Sequence, residues 1–229
     1  MTVSPAKEIE FFVSEKAGAV SGLLIKPNKA QALLVLAHGA GAGMRHRFME
    51  EVAAKLANCH VATLRYQFPY MQKRTKRPDP QRVLIDSVRA AVAKAEKEAG
   101  NLPLFVGGKS MGGRMTSLAA AEQPLDGVRG LLFLGFPLHA AGRPDAERGE
   151  HLTEIKLPML FLQGSRDALA DLKLLKPLCA RIGKRAELYV AEGGDHSFHM
   201  LKSAGRSDDD VLDEVVQRVV EWMGEYSYE

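Results

Sequence analysis

The sequence predicts an α/β fold: one mostly parallel sheet with helices on both faces. Three observations carry this. Segments with strand character and segments with helical character alternate from about residue 32 to the end of the chain. Several strand candidates, such as Ala32 to Ala37 and Met159 to Leu162, are apolar at every position, the mark of strands covered on both faces. No repeat, low-complexity tract or long linker divides the chain, so residues 1–229 are expected to form one domain, a size that suits a single core.

Ile9 to Val13 and Leu23 to Ile25, the first elements, are strands joined around Gly18 and expected to be antiparallel. Ala32 to Ala37 leads into a glycine-rich loop, then a helix of roughly a dozen residues ending near Asn58. Val61 to Tyr66 is a strand, and Gln67 to Pro80 a basic loop punctuated by proline. Gln81 to Ala99 is an alanine-rich helix closed by Gly100. Leu104 to Gly107 is a strand that turns at once into a helix near Met111. Gly130 to Leu134 and Met159 to Leu162 are buried strands, Leu169 to Ile182 a helix, and Ala186 to Val190 the last strand. The final helix, about Asp208 to Met223, starts in acidic residues and lines up Val211, Leu212, Val215, Val216, Val219 and Trp222 on one face.

Composition narrows the function classes. Hydrophobic residues make up 46% and charged residues 26%, the balance of a globular chain. The net charge of +3 is too small an excess to suggest nucleic acid as a partner. The longest apolar runs are too short to span a bilayer, and the first residues lack a basic-then-apolar leader pattern. No membrane association is therefore expected, and the cytoplasm is the expected location. Cys59 and Cys179 are isolated thiols, with neither a disulfide framework nor a metal-ligand spacing. No cofactor and no metal are expected.

Chemistry concentrates at Gly107-Gly108-Lys109-Ser110-Met111-Gly112-Gly113. Gly108-Lys109-Ser110 matches the end of a phosphate-binding loop, but that motif needs a glycine where Pro103 stands. The four residues between are mostly strand formers, whose amides belong to a sheet and not to a phosphate. The better reading is a nucleophile elbow, Gly108-Lys109-Ser110-Met111-Gly112, in which strand turns sharply into helix with the serine at the apex. Glycines two before and two after let strand and helix approach. Such a pattern arises by chance in roughly one chain in ten of this length, so the weight falls on its companions.

A serine hydroxyl needs a base to take its proton and an acid to orient the base. Asp167 follows the buried segment Phe161 to Gly164, and His196 follows the last strand; each lies just past a strand's C-terminal end. Asp167 could instead cap the next helix, and His196 could be an ordinary loop residue. Asp171 and Asp195 are rival acids and His199 a rival base; Asp195 should point away from its neighbour His196, and His199 should already be leaving the site. For the oxyanion hole, one donor should be the Met111 amide. The other should come from His38-Gly39-Ala40-Gly41-Ala42-Gly43, with Ala40 preferred and His38 bracing the loop. Gly39 and Lys109 are expected to support the loop or the substrate, with Lys109 not needed for reaction of Ser110 with a fluorophosphonate.

Together these residues resemble the α/β-hydrolase superfamily over nearly the whole chain, on its dienelactone-hydrolase-like side. A finer resemblance, to a branch of small hydrolase-like proteins that includes a subunit of a chromatin acetyltransferase complex, rests on four pieces. They are His38 to Gly43, Phe68-Pro69-Tyr70, Gly108 to Arg114, and Gly135-Phe136-Pro137-Leu138-His139. The superfamily likeness implies an eight-stranded sheet and hydrolysis of an ester, thioester or amide. Dienelactone hydrolases use cysteine where this chain has Ser110, so their substrate does not follow. The likeness also sustains a rival, a hydrolase-shaped interaction protein. His139 to Pro158, where a lid would sit, is short and polar, which implies little or no cap. The expected partner is a small ester-type molecule, with Phe68, Tyr70 and Met71 as the apolar wall for a short acyl group. Lys73-Arg74-Thr75-Lys76-Arg77 and Lys109 could favour anionic substrates, though a solvated basic loop is the plainer reading.

Overall fold

Side chains on a strand point alternately to opposite faces, so a strand that is apolar throughout must be covered on both. In the computed structural model, which describes residues 5–75 and 77–227, this is what happens. Strand β3 (Ala32–Ala37) sends Leu33, Val35 and Ala37 into one core and Ala32, Leu34 and Leu36 into the other. The first core is closed by α3 (Gln81–Ala99), α4 (Met111–Glu122) and α5 (Leu172–Ile182). The second is closed by α1 (Arg47–Asn58) and α6 (Asp208–Glu225). Trp222 of α6 is fully buried there, its ring 5.6 Å from that of Phe105. Helices therefore lie on both faces, as the alternation of elements predicts.

The remaining strands are β1 (Lys7–Ser14), β2 (Gly18–Ile25), β4 (Val61–Tyr66), β5 (Leu104–Lys109), β6 (Val128–Leu134), β7 (Met159–Gly164) and β8 (Ala186–Ala191). All eight form one sheet in the order β1-β2-β4-β3-β5-β6-β7-β8. The β1–β2 and β2–β4 pairs are antiparallel; every other pair is parallel. The chain leaves β3 toward β4 on one side and comes back to β5 on the other. That reversal opens a crevice at the C-terminal ends of β3 and β5, where open α/β sheets bind their ligands.

Some element bounds differ from the sequence reading. Both hairpin strands are longer than their apolar cores, because alternation with exposed Glu8, Glu10 and Phe12 leaves one face of β1 in solvent. Helix α5 starts at Leu172, not Leu169, because Asp171 supplies the cap by accepting from the Lys173 amide at 2.8 Å. The basic loop holds one turn of helix, α2 (Pro69–Gln72), with proline at its first position and Tyr70 N–H bound to Asp79 at 2.6 Å. Lys76, in the middle of the basic run, lies outside the described residues. Between β6 and β7 the chain makes only an Ala140–Arg143 bridge and a 3-10 stretch at Glu147–Glu154, so little covers the crevice from that side. Among the described residues no helix is long and apolar enough to cross a membrane. Both cysteines are free thiols, Cys59 half-buried and Cys179 buried.

Candidate active site

The segment from β5 to α4 turns within a single residue. Ser110 has φ 51° and ψ −119°, a region that L-residues rarely occupy. The surrounding glycines are required by contact. A Cβ on Gly108 would lie 2.6 Å from the Gly112 and Gly113 backbone, and one on Gly112 would lie 2.5 Å from the Ala37 carbonyl oxygen. The Ser110 amide is held by the Leu134 carbonyl at 3.1 Å. All six residues of β5 are buried in the sheet between β3 and β6, so the segment before Lys109 is a strand and not a phosphate-cradling loop.

Asp167 and His196 converge on this turn from the ends of β7 and β8. His196 Nε2 is 2.8 Å from Ser110 Oγ, and His196 Nδ1 is 2.6 Å from Asp167 Oδ2. The Asp167 side chain is fully buried and also accepts from Leu169 N–H at 2.8 Å and from Gln163 Nε2. Gln163 is oriented by accepting the Phe136 amide at 2.9 Å, which leaves its NH2 facing the carboxylate. Sequence reasoning did not single out Gln163; the available signal was an amide side chain in an otherwise apolar buried strand. The crossing of the two loops needs Gly164, whose Cβ would sit 2.3 Å from the Asp195 carbonyl oxygen.

The rivals are placed elsewhere. Asp195 Oδ1 accepts the Ser197 and His199 amides at 2.7 and 2.9 Å and holds the turn that carries His196. Asp171 caps α5, so the capping job weighed for Asp167 falls to its neighbour. His199 pairs with Asp208 at 2.7 Å, yet it still lines the cavity in front of Ser110, contrary to the expectation that the chain is leaving the site there. The reason is the turn at Phe198, with φ 65°, which folds residue 199 back along the cavity wall.

The loop after β3 passes beside the elbow. A Cβ on Gly39 would lie 3.6 Å from both Ser110 Cβ and the Lys109 carbonyl oxygen. The Gly41 amide donates to Tyr70 Oη at 2.9 Å and the Ala42 amide to Gly39 O at 3.2 Å, whereas the Ala40 and Met111 amides have no such partner among the described residues. His38 is fully buried, stacks edge-on to Phe68 and bridges two segments. Its Nε2 accepts the Phe68 amide at 3.1 Å, so Nδ1 carries the proton and donates to Gly39 O at 2.7 Å.

Burial lowers the His38 pKa from 6.5 to about 4. Burial also lowers that of His151, which is hydrogen-bonded to Ser117 Oγ at 2.7 Å. Between these values the unfolded chain binds protons that the folded chain refuses, so stability falls as pH drops from about 6.5 to about 4. For His38 this amounts to up to about 3 kcal/mol. Urea unfolding at pH 7, 5.5 and 4.5 should show that loss, and a flat free energy across the window would contradict it.

A cavity of about 780 Å³ opens in front of Ser110. Its apolar wall is Phe48, Met49, Leu169, Phe198 and Leu212, and its charged rim includes Arg47, Glu51, Asp208 and Asp209. This corrects the sequence reading, which gave the wall to Phe68, Tyr70 and Met71. Phe68 and Tyr70 are core residues under His38, and Met71 lines a separate cleft beside Gln67 and Arg74. Helix α1 contributes Phe48 and Met49 and helix α6 contributes Leu212, with Leu169 and Phe198 from the loops after β7 and β8; nothing in the sequence distinguishes Phe48 from an ordinary amphipathic-helix residue. Lys109 is 8% exposed and its Nζ donates to the His196 carbonyl at 2.6 Å, so its ammonium faces the histidine loop as well as the cavity. Among the described residues no cluster of three or more His, Cys, Asp or Glu could hold a metal.

The alpha/beta hydrolase domain model matches residues 30–224. The chain belongs to the alpha/beta hydrolase family. Solved structures with the same fold include a dienelactone hydrolase from Anabaena variabilis, at TM-score 0.73 and 22% identity over 98% of this chain and all of that one. A lidless α/β serine hydrolase from Xanthomonas campestris superposes at TM-score 0.72 with 19% identity, over 97% of this hydrolase and 96% of that chain. An esterase from Pyrococcus furiosus gives 0.75 and 18%, over 97% and 93%. Two Mycobacterium tuberculosis proteins provisionally named phosphoribosyl transferases are 27% identical over 201 residues, 85% of this chain. The hydrolase spans 43% of the length of each of them.

Proposed function

We propose that this hydrolase cleaves an ester or thioester of a small, soluble substrate through an acyl-enzyme on Ser110, without a cofactor. The observation that carries the reading is the unbroken line from Ser110 Oγ through the His196 imidazole to the buried Asp167 carboxylate. In this reading Ser110 Oγ bonds to the substrate carbonyl carbon while His196 Nε2 takes its proton. The developing oxyanion is received by the Met111 amide, next to Ser110 in the elbow, and the Ala40 amide, in the loop after β3; neither donates to another group among the described residues. Collapse expels the alcohol or thiol, protonated by His196, and water then releases the acid by the same path in reverse. Asp167 holds Nδ1–H, which keeps Nε2 free to accept the proton.

The cavity argues for short acyl groups. Each methylene placed against Phe48, Leu169, Phe198 and Leu212 contributes about 0.8 kcal/mol, roughly fourfold in kcat/KM. A longer chain meets the charged rim at Arg47, Glu51, Asp208 and Asp209, and no lid extends the apolar wall among the described residues. The test is labelling by a fluorophosphonate together with kcat/KM across p-nitrophenyl esters from acetate to palmitate. Labelling, a maximum at a few carbons and no activation above the micelle concentration are expected. A palmitate maximum would contradict the short-acyl assignment, and an unlabelled, inactive protein would favour the interaction-protein reading. The branch that contains the acetyltransferase-complex subunit resembles this chain at the elbow and loop pieces but brings no substrate with it.

A further inference from the structure

We propose that Lys109 is a positioning residue: its ammonium, by donating to the main-chain carbonyl of His196, ties the base to the strand that carries the nucleophile. The inference rests on the hydrolase reading above. Lys109 directly precedes Ser110, and its side chain crosses to the histidine loop, where Nζ lies 2.6 Å from His196 O. Asp167 fixes the imidazole ring, and Lys109 fixes the backbone of the same residue. The separation of Ser110 Oγ and His196 Nε2 is then set by adjacent residues of one strand end, not by packing across three loops.

The surroundings are built for that contact. Lys109 Nζ occupies room left by the missing side chain of Gly135, whose Cβ would lie 3.0 Å from both Nζ and His196 O. Gly135 stands at φ 69°, a conformation that favours glycine. The Phe48 ring is 5.7 Å from Nζ, within range of a cation–π contact. The hydrogen-bond partner is a carbonyl and not a carboxylate, while Asp167 and Asp195 act on the ammonium only through their field. Burial lowers the Lys109 pKa to about 8. A cation held out of water in this way is costly to the fold. Loss of the tether should therefore be felt in geometry more than in stability.

The test compares wild type with Lys109→Met, which keeps the bulk and removes the donor, and Lys109→Gln, which is polar but one atom too short to reach. With p-nitrophenyl acetate, a neutral substrate, kcat and the rate of fluorophosphonate labelling should fall about 10- to 100-fold, as for small misplacements of a reacting group; the contact with His196 O thus reverses the expectation from sequence that labelling does not need Lys109. KM should stay within about twofold, and the Met variant should unfold at the wild-type temperature or above it. The glutamine variant carries the test if the methionine variant does not fold. Unchanged kcat on the neutral ester, with KM rising only for a carboxylate-bearing ester, would overturn the inference and make Lys109 a substrate counter-ion. A drop in activity that merely follows a lowered unfolding temperature would also overturn it. Unchanged variants of a labelled wild type sink this inference alone, whereas an unlabelled wild type sinks the hydrolase reading first.

Discussion

Alanine in place of Ser110 is expected to abolish fluorophosphonate labelling and to lower ester turnover by roughly four to six orders of magnitude. The effect is large because Oγ is the atom that would bond to substrate, and no other hydroxyl among the described residues is 2.8 Å from His196 Nε2. The fold should tolerate the change. Ser110 has no side-chain capping bond to α4, and alanine keeps the Cβ that the strained backbone already accommodates. Some rate above the uncatalysed reaction should survive, from whatever the Ala40 and Met111 amides and the cavity still contribute. The measurement is single-turnover release of p-nitrophenol, with circular dichroism as the control on folding. Retained labelling in a folded Ser110→Ala protein would place the nucleophile elsewhere.

Asparagine at position 167 should lower kcat by roughly 10³- to 10⁴-fold, with little change in KM. The hydrogen-bond network explains why the isostere fails. Oδ2 receives two donors, Gln163 Nε2 and His196 Nδ1, and Oδ1 receives the Leu169 amide. Gln163 cannot turn its oxygen inward without releasing the Phe136 amide. The new NH2 must therefore face a donor in either orientation. Facing Leu169, it breaks that bond and leaves the imidazolium without a countercharge. Facing His196, it forces the tautomer whose Nε2 is protonated and cannot accept from Ser110. The reading predicts a folded protein with unfolding temperature lowered by a few degrees. Near-normal turnover would transfer the orienting role to another carboxylate, although Asp171 and Asp195 are both occupied in local caps and turns.

Much of the fold was legible because parallel strands covered on both faces must be apolar at every position, as β3 and β7 nearly are. The elbow was legible for a related reason. A turn of one residue between strand and helix imposes glycine at 108 and 112, and contact distances of 2.5 to 2.6 Å show why no side chain fits there. Ser110, Asp167 and His196 were marked as candidates by their places after strand ends, and the structure brings these three side chains into hydrogen-bonding distance.

Other features have no local signature. The sequence could nominate Asp167 over Asp171 only by its position; the choice is made by Gln163, Leu169 and His196 meeting one carboxylate across three segments. The cavity wall was misassigned to Phe68 and Tyr70 because aromatic residues in a loop look available, whereas His38 and the sheet bury them. Lys109 read as a loop or substrate contact because its partner is a backbone carbonyl 87 residues away, and a carbonyl has no side-chain identity to recognise. Periodicity and glycine placement are short-range constraints, and through them the chain alone determined the layers, the parallel sheet and the serine turn. Which carboxylate meets the imidazole, which helix lines the cavity and where the buried ammonium rests are long-range pairings, and only the packed tertiary structure decided them.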